Sequence, residues 1–170
     1  MSATDSADNL VARVAIALRA RGALLATAES CTGGLVAAAC TSLAGSSDWF
    51  ERGVVTYSNA AKTDLLGVAA TLIEAHGAVS AEVARAMATG VLARSPAAFA
   101  VAVTGIAGPG GGTPDKPVGT VWIATAARGL AVEATLLQAS GDRASIRARS
   151  LVRALELVLA RIEAVPAPPR

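Results

Sequence analysis

Three side chains in one short stretch, Ser47, Tyr57 and Lys62, are of the types that could activate a serine nucleophile. A serine hydroxyl attacks well only when a base removes its proton. Tyr57 is the single tyrosine of the chain, and Lys62 is one of two lysines beside thirteen arginines. Because an amine can lose its proton near neutral pH and a guanidinium cannot, a lysine is distinctive in such a chain. The stretch predicts a lysine base, with the tyrosine relaying or holding the proton.

Lys62 could act as a base only if its pKa fell from about 10.4 toward 7–8. With Asn59 as the predicted N-cap, Lys62 lies in the first turn of a helix, where the dipole disfavours a cation by roughly 0.3–1 kcal/mol. Lowering the pKa of Lys62 that far requires roughly 4 kcal/mol. The dipole supplies only a small part of this free energy, so burial must supply most of it. Spacing alone leaves an alternative open, in which Tyr57 is a half-buried strand residue and Lys62 is solvated.

Composition excludes several kinds of site and partner. The chain has one histidine, His76, so a site built from several histidines is excluded, and we expect no metal and no cofactor. A net charge of +2 and an aromatic content of 3% argue against nucleic-acid binding. No apolar run approaches the roughly 20 residues that cross a bilayer, and no signal peptide is recognisable. Since Cys31 and Cys40 are too few for a disulfide framework, the predicted location is cytoplasmic.

Three further segments could bind a ligand. Residues 27–34, TAESCTGG, predict a strand, a turn and a helix start, whose free N–H groups would suit an anion or an oxyanion; Ser30 is a second candidate nucleophile there. Residues 104–112 form a glycine-rich loop that could either close over a substrate or simply connect two strands. Arg143 and Arg147 lie one turn apart at a predicted helix start, where they are either solvated or paired with an anionic group.

Apolar periodicity and glycine or proline breaks predict alternating helices and strands. The predicted helices are 9–21, 35–43, one beginning at 59, 70–76, 80–93 and 142–163, and the predicted strands are 24–27, 53–58, 99–104, 118–126 and 130–138. This order indicates an α/β fold, a three-layer α/β/α sandwich, with the late hairpin making the β-sheet mixed. We expect a single domain over 9–163, with flexible segments at 1–8 and 164–170.

Five motifs occur together in one known family. They are TAESCTGG (27–34), GSSDWFERGVVTYSNAAK (45–62), HGAVS (76–80), TGIAGPGGGTPDKPVGTVW (104–122) and SGDR (140–143). In their order and spacing the chain resembles the CinA C-terminal domain family, the nicotinamide mononucleotide deamidases, over nearly its whole length. Members often carry a molybdopterin-binding-like domain ahead of this one. The resemblance therefore implies the stand-alone form.

The reaction implied by the resemblance is hydrolysis of the carboxamide of nicotinamide mononucleotide to nicotinate mononucleotide and ammonia, in pyridine-nucleotide recycling. The family's catalytic residues fall on Ser47, Tyr57 and Lys62, and Ser30 is assigned to substrate binding or oxyanion support. The other residues expected to bind substrate are Thr32, Gly33, Gly34, Thr104, Gly105, Gly108, Arg143 and Arg147. The expected partner is this small molecule, with no nucleic acid and no membrane, and the chain is expected to form a homo-oligomer.

Two other functions stay open at this point. One is an amidase that acts on a different small amide. The other is a non-catalytic nucleotide-binding or interaction module connected with competence or DNA damage. The combination of Ser47, Tyr57 and Lys62 favours an enzyme, because a pure binding module would not need it.

Overall fold

The computed structural model describes residues 6–166, in which helices and strands alternate up to β2 and three consecutive helices then precede β3. The helices are α1 (Ala7–Arg19), α2 (Leu35–Ser42), α3 (Asn59–Leu66), α4 (Ala70–His76), α5 (Ala81–Ala93) and α6 (Arg143–Ala164). The strands are β1 (Leu25–Glu29), β2 (Phe50–Val55), β3 (Phe99–Gly105), β4 (Thr120–Ala127) and β5 (Glu133–Gln138), and a short 3-10 helix spans Ser46–Asp48.

The five strands form one mixed sheet in the order β2-β1-β3-β4-β5. β1 is parallel to both β2 and β3, whereas β4 is antiparallel to β3 and to β5. The carboxyl ends of β1, β2 and β3 therefore lie at the same edge of the sheet. The α/β class and the mixed sheet predicted from the sequence are confirmed.

Each face of the sheet packs against three helices, and the two cores differ in the size of their side chains. On the face covered by α1, α2 and α6, alternate residues of β3 are large, as in Phe99, Val101 and Val103. On the face covered by α3, α4 and α5, the intervening positions are alanines, as in Ala100 and Ala102. Small side chains let helices approach closely, and burial of the larger ones contributes roughly 1.5–3 kcal/mol each.

Side-chain caps fix where the helices that position the site begin. The hydroxyl of Ser58 accepts from the backbone N–H of Ala61, so Ser58, and not the predicted Asn59, is the N-cap of α3. Asp142 caps α6 in the same way through the N–H of Ser145. Such a cap typically stabilises a helix by about 1 kcal/mol. Both helices thus start close to the carboxyl edge of the sheet.

Most predicted boundaries lie within three residues of the observed ones, and the differences at α1 and β2 bear on the predicted flexible segment and on the site. α1 begins at Ala7, inside the segment expected to be flexible, while 1–5 and 167–170 of the two predicted flexible segments lie outside the described residues. β2 covers Phe50–Val55 instead of 53–58, because the strand starts where Phe50 pairs with Leu25 of β1. Within residues 6–166, no helix combines the length and the apolar character needed to span a bilayer.

Candidate functional site

A cavity of about 270 Å³ opens at the carboxyl ends of β1 and β3, beside the segment that follows β2. In open parallel sheets, ligands bind at this edge. The cavity is lined by Ser30, Cys31, Tyr57, Asn59, Lys62, Ala78, Gly105, Ile106, Ala107, Gly108, Gly110, Gly111 and Arg143. No local pattern indicates that Asn59 or Ala78 would contact a ligand, whereas Cys31 lies within the 27–34 segment predicted to bind one.

Lys62 is the buried basic residue of this cavity, with 1% of its surface exposed. Its Nζ lies 2.9 Å from the carbonyl oxygen of Thr56, 3.4 Å from that of Tyr57 and 3.1 Å from Oγ of Ser30. The two carbonyls belong to the segment that joins β2 to α3, and Ser30 directly follows β1. Adjacent parallel strands therefore bring together a serine and a lysine that lie far apart in the sequence.

Burial lowers the pKa of Lys62 below its ordinary value of 10.5, because removing the ammonium from water disfavours the charged form. Only a negative charge on the neighbouring Cys31 opposes this lowering of the pKa, and to a smaller degree. The sequence had required burial for a lysine base, and the structure supplies it. Burial also raises the pKa of the Cys31 thiol to about 11, so this cysteine stays protonated and is a poor nucleophile.

Ser47 does not lie beside Lys62. It sits exposed in the 3-10 helix that precedes the amino end of β2, whereas Thr56 and Lys62 follow the carboxyl end of that strand. A strand of six residues spans roughly 17–20 Å, so the two groups occupy opposite edges of the sheet. Proximity in sequence and the family resemblance both suggest that Ser47 pairs with Lys62, but the direction of β2 separates the two residues. Ser30 is the serine that the fold places at the lysine.

Tyr57 lies at the mouth of the cavity, with 61% of its surface exposed. Its hydroxyl is 2.8 Å from Nη2 of Arg143, and only its backbone carbonyl faces Lys62. The phenol is therefore arranged as a partner of an arginine and not as a relay between the lysine and a serine. The structure brings Tyr57, Lys62 and Arg143 into one site, as expected, but with different contacts.

The turn at residues 30–34 is already occupied by a carboxylate of the same chain. Glu29 is 1% exposed, and its two oxygens accept from the backbone N–H groups of Gly34, Val36 and Ala37 at 2.9–3.1 Å. These are the N–H groups that a helix start would offer to an anion. Gly33 donates to the carbonyl of Ser30. The turn thus positions Ser30. The N–H groups of Gly33 and Gly34 already bond within the chain, so they are not free to bind the anion that the sequence predicts there.

Arg147 and Arg143 have different roles although they lie one turn apart on α6. Arg147 donates to the carbonyl oxygens of Cys31 and Thr32, at 3.1 and 3.0 Å, and so ties α6 to the turn. Thr32 is fully buried there. Arg143 donates through Nη1 to the carbonyl of Gly108 at 2.7 Å and through Nη2 to Tyr57. Of the two arginines, only Arg143 lines the cavity.

The glycine-rich loop after β3 lines part of the cavity. Gly105 and Gly108 line the cavity, and Gly108 adopts a φ of +77°, which favours glycine. Thr104 turns away, since its hydroxyl donates to the carbonyl of Ala78 at 2.8 Å and anchors the loop that precedes α5. In residues 6–166, no cluster of three or more potential metal ligands is present.

The family model for the CinA C-terminal domain matches residues 7–162. The chain belongs to the CinA C-terminal domain family. A member from Enterobacter agglomerans, named nicotinamide-nucleotide amidohydrolase PncC, is 51% identical over 150 residues, which cover 88% of this chain and 92% of that protein.

Other members of the CinA family carry a different name or are longer. A putative competence-damage inducible protein from Symbiobacterium thermophilum is 56% identical, but the match spans only 35% of its length. The crystal structure of the competence/damage inducible protein CihA from Agrobacterium tumefaciens has a TM-score of 0.89 and 47% identity, covering 94% of this chain and 98% of that one. The family predicted from the motifs and the fold predicted from the order of helices and strands are thus both confirmed.

Proposed function

We propose that this chain is an amidohydrolase that converts nicotinamide mononucleotide to nicotinate mononucleotide and ammonia, with Ser30 as the nucleophile. The name of the Enterobacter agglomerans relative and its 92% coverage support the reaction. The observation that carries the mechanism is the distance of 3.1 Å between Nζ of the buried Lys62 and Oγ of Ser30. A serine and a base within hydrogen-bonding reach are what nucleophilic catalysis requires.

The two backbone carbonyls around Lys62 orient its lone pair. A neutral amine has two N–H bonds and one lone pair, and a carbonyl oxygen can only accept. When Nζ donates to the carbonyls of Thr56 and Tyr57, its lone pair faces the hydroxyl of Ser30. Ser30 then donates its proton to Lys62 as its oxygen attacks the carboxamide carbon.

Collapse of the tetrahedral intermediate breaks the C–N bond. The Lys62 ammonium returns its proton to the departing nitrogen, which leaves as ammonia, and an ester remains on Ser30. Water then gives a proton to the neutral Lys62 and attacks this ester, releasing nicotinate mononucleotide and restoring the serine hydroxyl. We assign oxyanion stabilisation to backbone N–H groups of the loop after β3, because Glu29 occupies those that begin α2.

Paired serine variants test the nucleophile. Ser30→Ala is expected to lower kcat for ammonia release from nicotinamide mononucleotide by at least ~10⁴-fold, because loss of a nucleophile removes the covalent route. Ser47→Ala is the matched control and is expected to stay within about twofold of the parent, as Ser47 is exposed at the other edge of the sheet. If Ser47→Ala abolished turnover and Ser30→Ala did not, Ser47 would be the nucleophile, and the proposed reaction would still stand.

A substrate panel separates the reaction from its nearest alternative. The purified chain is expected to release ammonia from nicotinamide mononucleotide faster than from nicotinamide riboside or free nicotinamide. Faster turnover of another small amide would make the chain an amidase of different specificity. A cytoplasmic location and a homo-oligomeric state remain predictions, which cell fractionation and light scattering would test.

A further inference from the structure

The cavity is lined by basic side chains and, among the described residues, by no carboxylate. The basic groups are those of Lys62 and Arg143. Glu29, the buried acid next to Ser30, does not line the cavity and is satisfied by the N–H groups of α2. A cavity with this lining favours an anionic ligand.

Several of the charged or helix-terminal groups that could hold such an anion already have fixed partners. The N–H groups that begin α2 bond to Glu29, and the guanidinium of Arg147 bonds to two carbonyls of the turn. Nζ of Lys62 faces Ser30 and two carbonyls in a buried position. Arg143 remains as the cation at the cavity mouth.

The two arms of the Arg143 guanidinium have unlike partners. Nη1 donates to a backbone carbonyl, that of Gly108, which fixes the guanidinium against the glycine-rich loop. Nη2 donates to the hydroxyl of Tyr57, a neutral side-chain group that is largely exposed and that water can solvate once released. A phosphate oxygen accepts from a guanidinium far more strongly than a neutral phenol does.

We propose that Arg143 binds the phosphate of the substrate through Nη2, and that this phosphate displaces the hydroxyl of Tyr57. Tyr57 holds the guanidinium in position while the site is empty and turns aside when the anion enters. The inference rests on the proposed function for its substrate class, a mononucleotide. It makes Tyr57 a positioning residue and gives a physical reason for preferring a nucleotide to a nucleoside.

The single tyrosine allows a test that does not depend on activity. Protein labelled with ring-¹³C tyrosine gives one set of tyrosine signals, all from Tyr57. Titration with inorganic phosphate is expected to shift these signals in a saturable manner in the parent. The shift is expected to disappear in Arg143→Gln and to persist in Arg149→Gln, an exposed arginine of the same helix that bonds to Ser140.

Kinetics provide the second arm of the test. Arg143→Gln is expected to raise KM for nicotinamide mononucleotide by roughly 10- to 100-fold, because one or two charge-assisted hydrogen bonds to the phosphate are lost. The KM for the riboside, which has no phosphate, is expected to change little. A Tyr57 signal that phosphate leaves unmoved in the parent would overturn the proposal, as would equal KM increases for both substrates. If nicotinamide mononucleotide is not hydrolysed at all, the proposed function fails, and the titration still decides whether Arg143 binds phosphate.

Discussion

The carboxylate of Glu29 is expected to be a main determinant of stability around the candidate nucleophile. Its oxygens accept from Gly34 at 3.0 Å, Val36 at 3.1 Å and Ala37 at 2.9 Å, and from the hydroxyl of Thr27 at 3.4 Å. In Glu29→Gln, one oxygen becomes an NH₂ group that faces N–H donors. At least one buried N–H then loses its acceptor, and the favourable charge at the start of α2 is removed.

The cost of Glu29→Gln follows from these contacts. An unsatisfied buried donor costs about 1–3 kcal/mol, and loss of the charge–dipole interaction in a buried position adds up to about 2 kcal/mol. We expect a total of about 2–4 kcal/mol, or a fall in Tm of roughly 4–16 °C for a chain of this size. Calorimetry would measure it, with Glu74→Gln as the control, because Glu74 is exposed on α4. A Tm for Glu29→Gln that matches the control would refute this account of the turn.

Two further predictions concern Lys62 and the packing of α3 on α5. Activity is expected to fall as pH decreases through the lowered pKa of Lys62, because protonation removes the base; a kcat/KM profile that is flat through the acid range would contradict this. Gly90→Ala is expected to destabilise the fold by about 1–3 kcal/mol, since a Cβ there would overlap the carbonyl oxygen of Leu66. Thermal melts should show no such loss for Gly110→Ala, where the added Cβ meets open space.

Local sequence patterns predicted the elements well where one element buries a periodic set of side chains. β3 was predicted because its apolar run lies between turn residues, and α6 because its apolar positions recur at the helical period. β2 was placed three residues too late. Its start depends on pairing with Leu25 across the sheet, which no local pattern of Phe50 or Trp49 reveals.

The candidate site was only partly predictable for the same reason. Lys62 and Tyr57 are indicated by their scarcity, and Ser47 is assigned as their partner by its proximity in sequence and by the family resemblance. The direction of parallel strands decides otherwise, since residues that follow neighbouring strands meet at one edge. The signal for Ser30 is present in the sequence, because Ser30 follows one buried strand and Lys62 follows another strand. Only the order of β1 and β2 in the sheet makes these two strands neighbours.

The surroundings of Lys62 suit both states that a base must pass through. As an ammonium, Nζ can donate to the carbonyls of Thr56 and Tyr57 and to Oγ of Ser30; as an amine, it can keep both carbonyls and accept from the serine. The hydrogen bonds alone therefore do not favour the neutral form. Burial does, because it penalises only the charged state. A change that admits water to Nζ without removing any hydrogen bond should therefore raise the pKa of Lys62. The acid limb of the activity profile should then move to higher pH. Such a result would separate the effect of burial on the pKa from that of the hydrogen bonds.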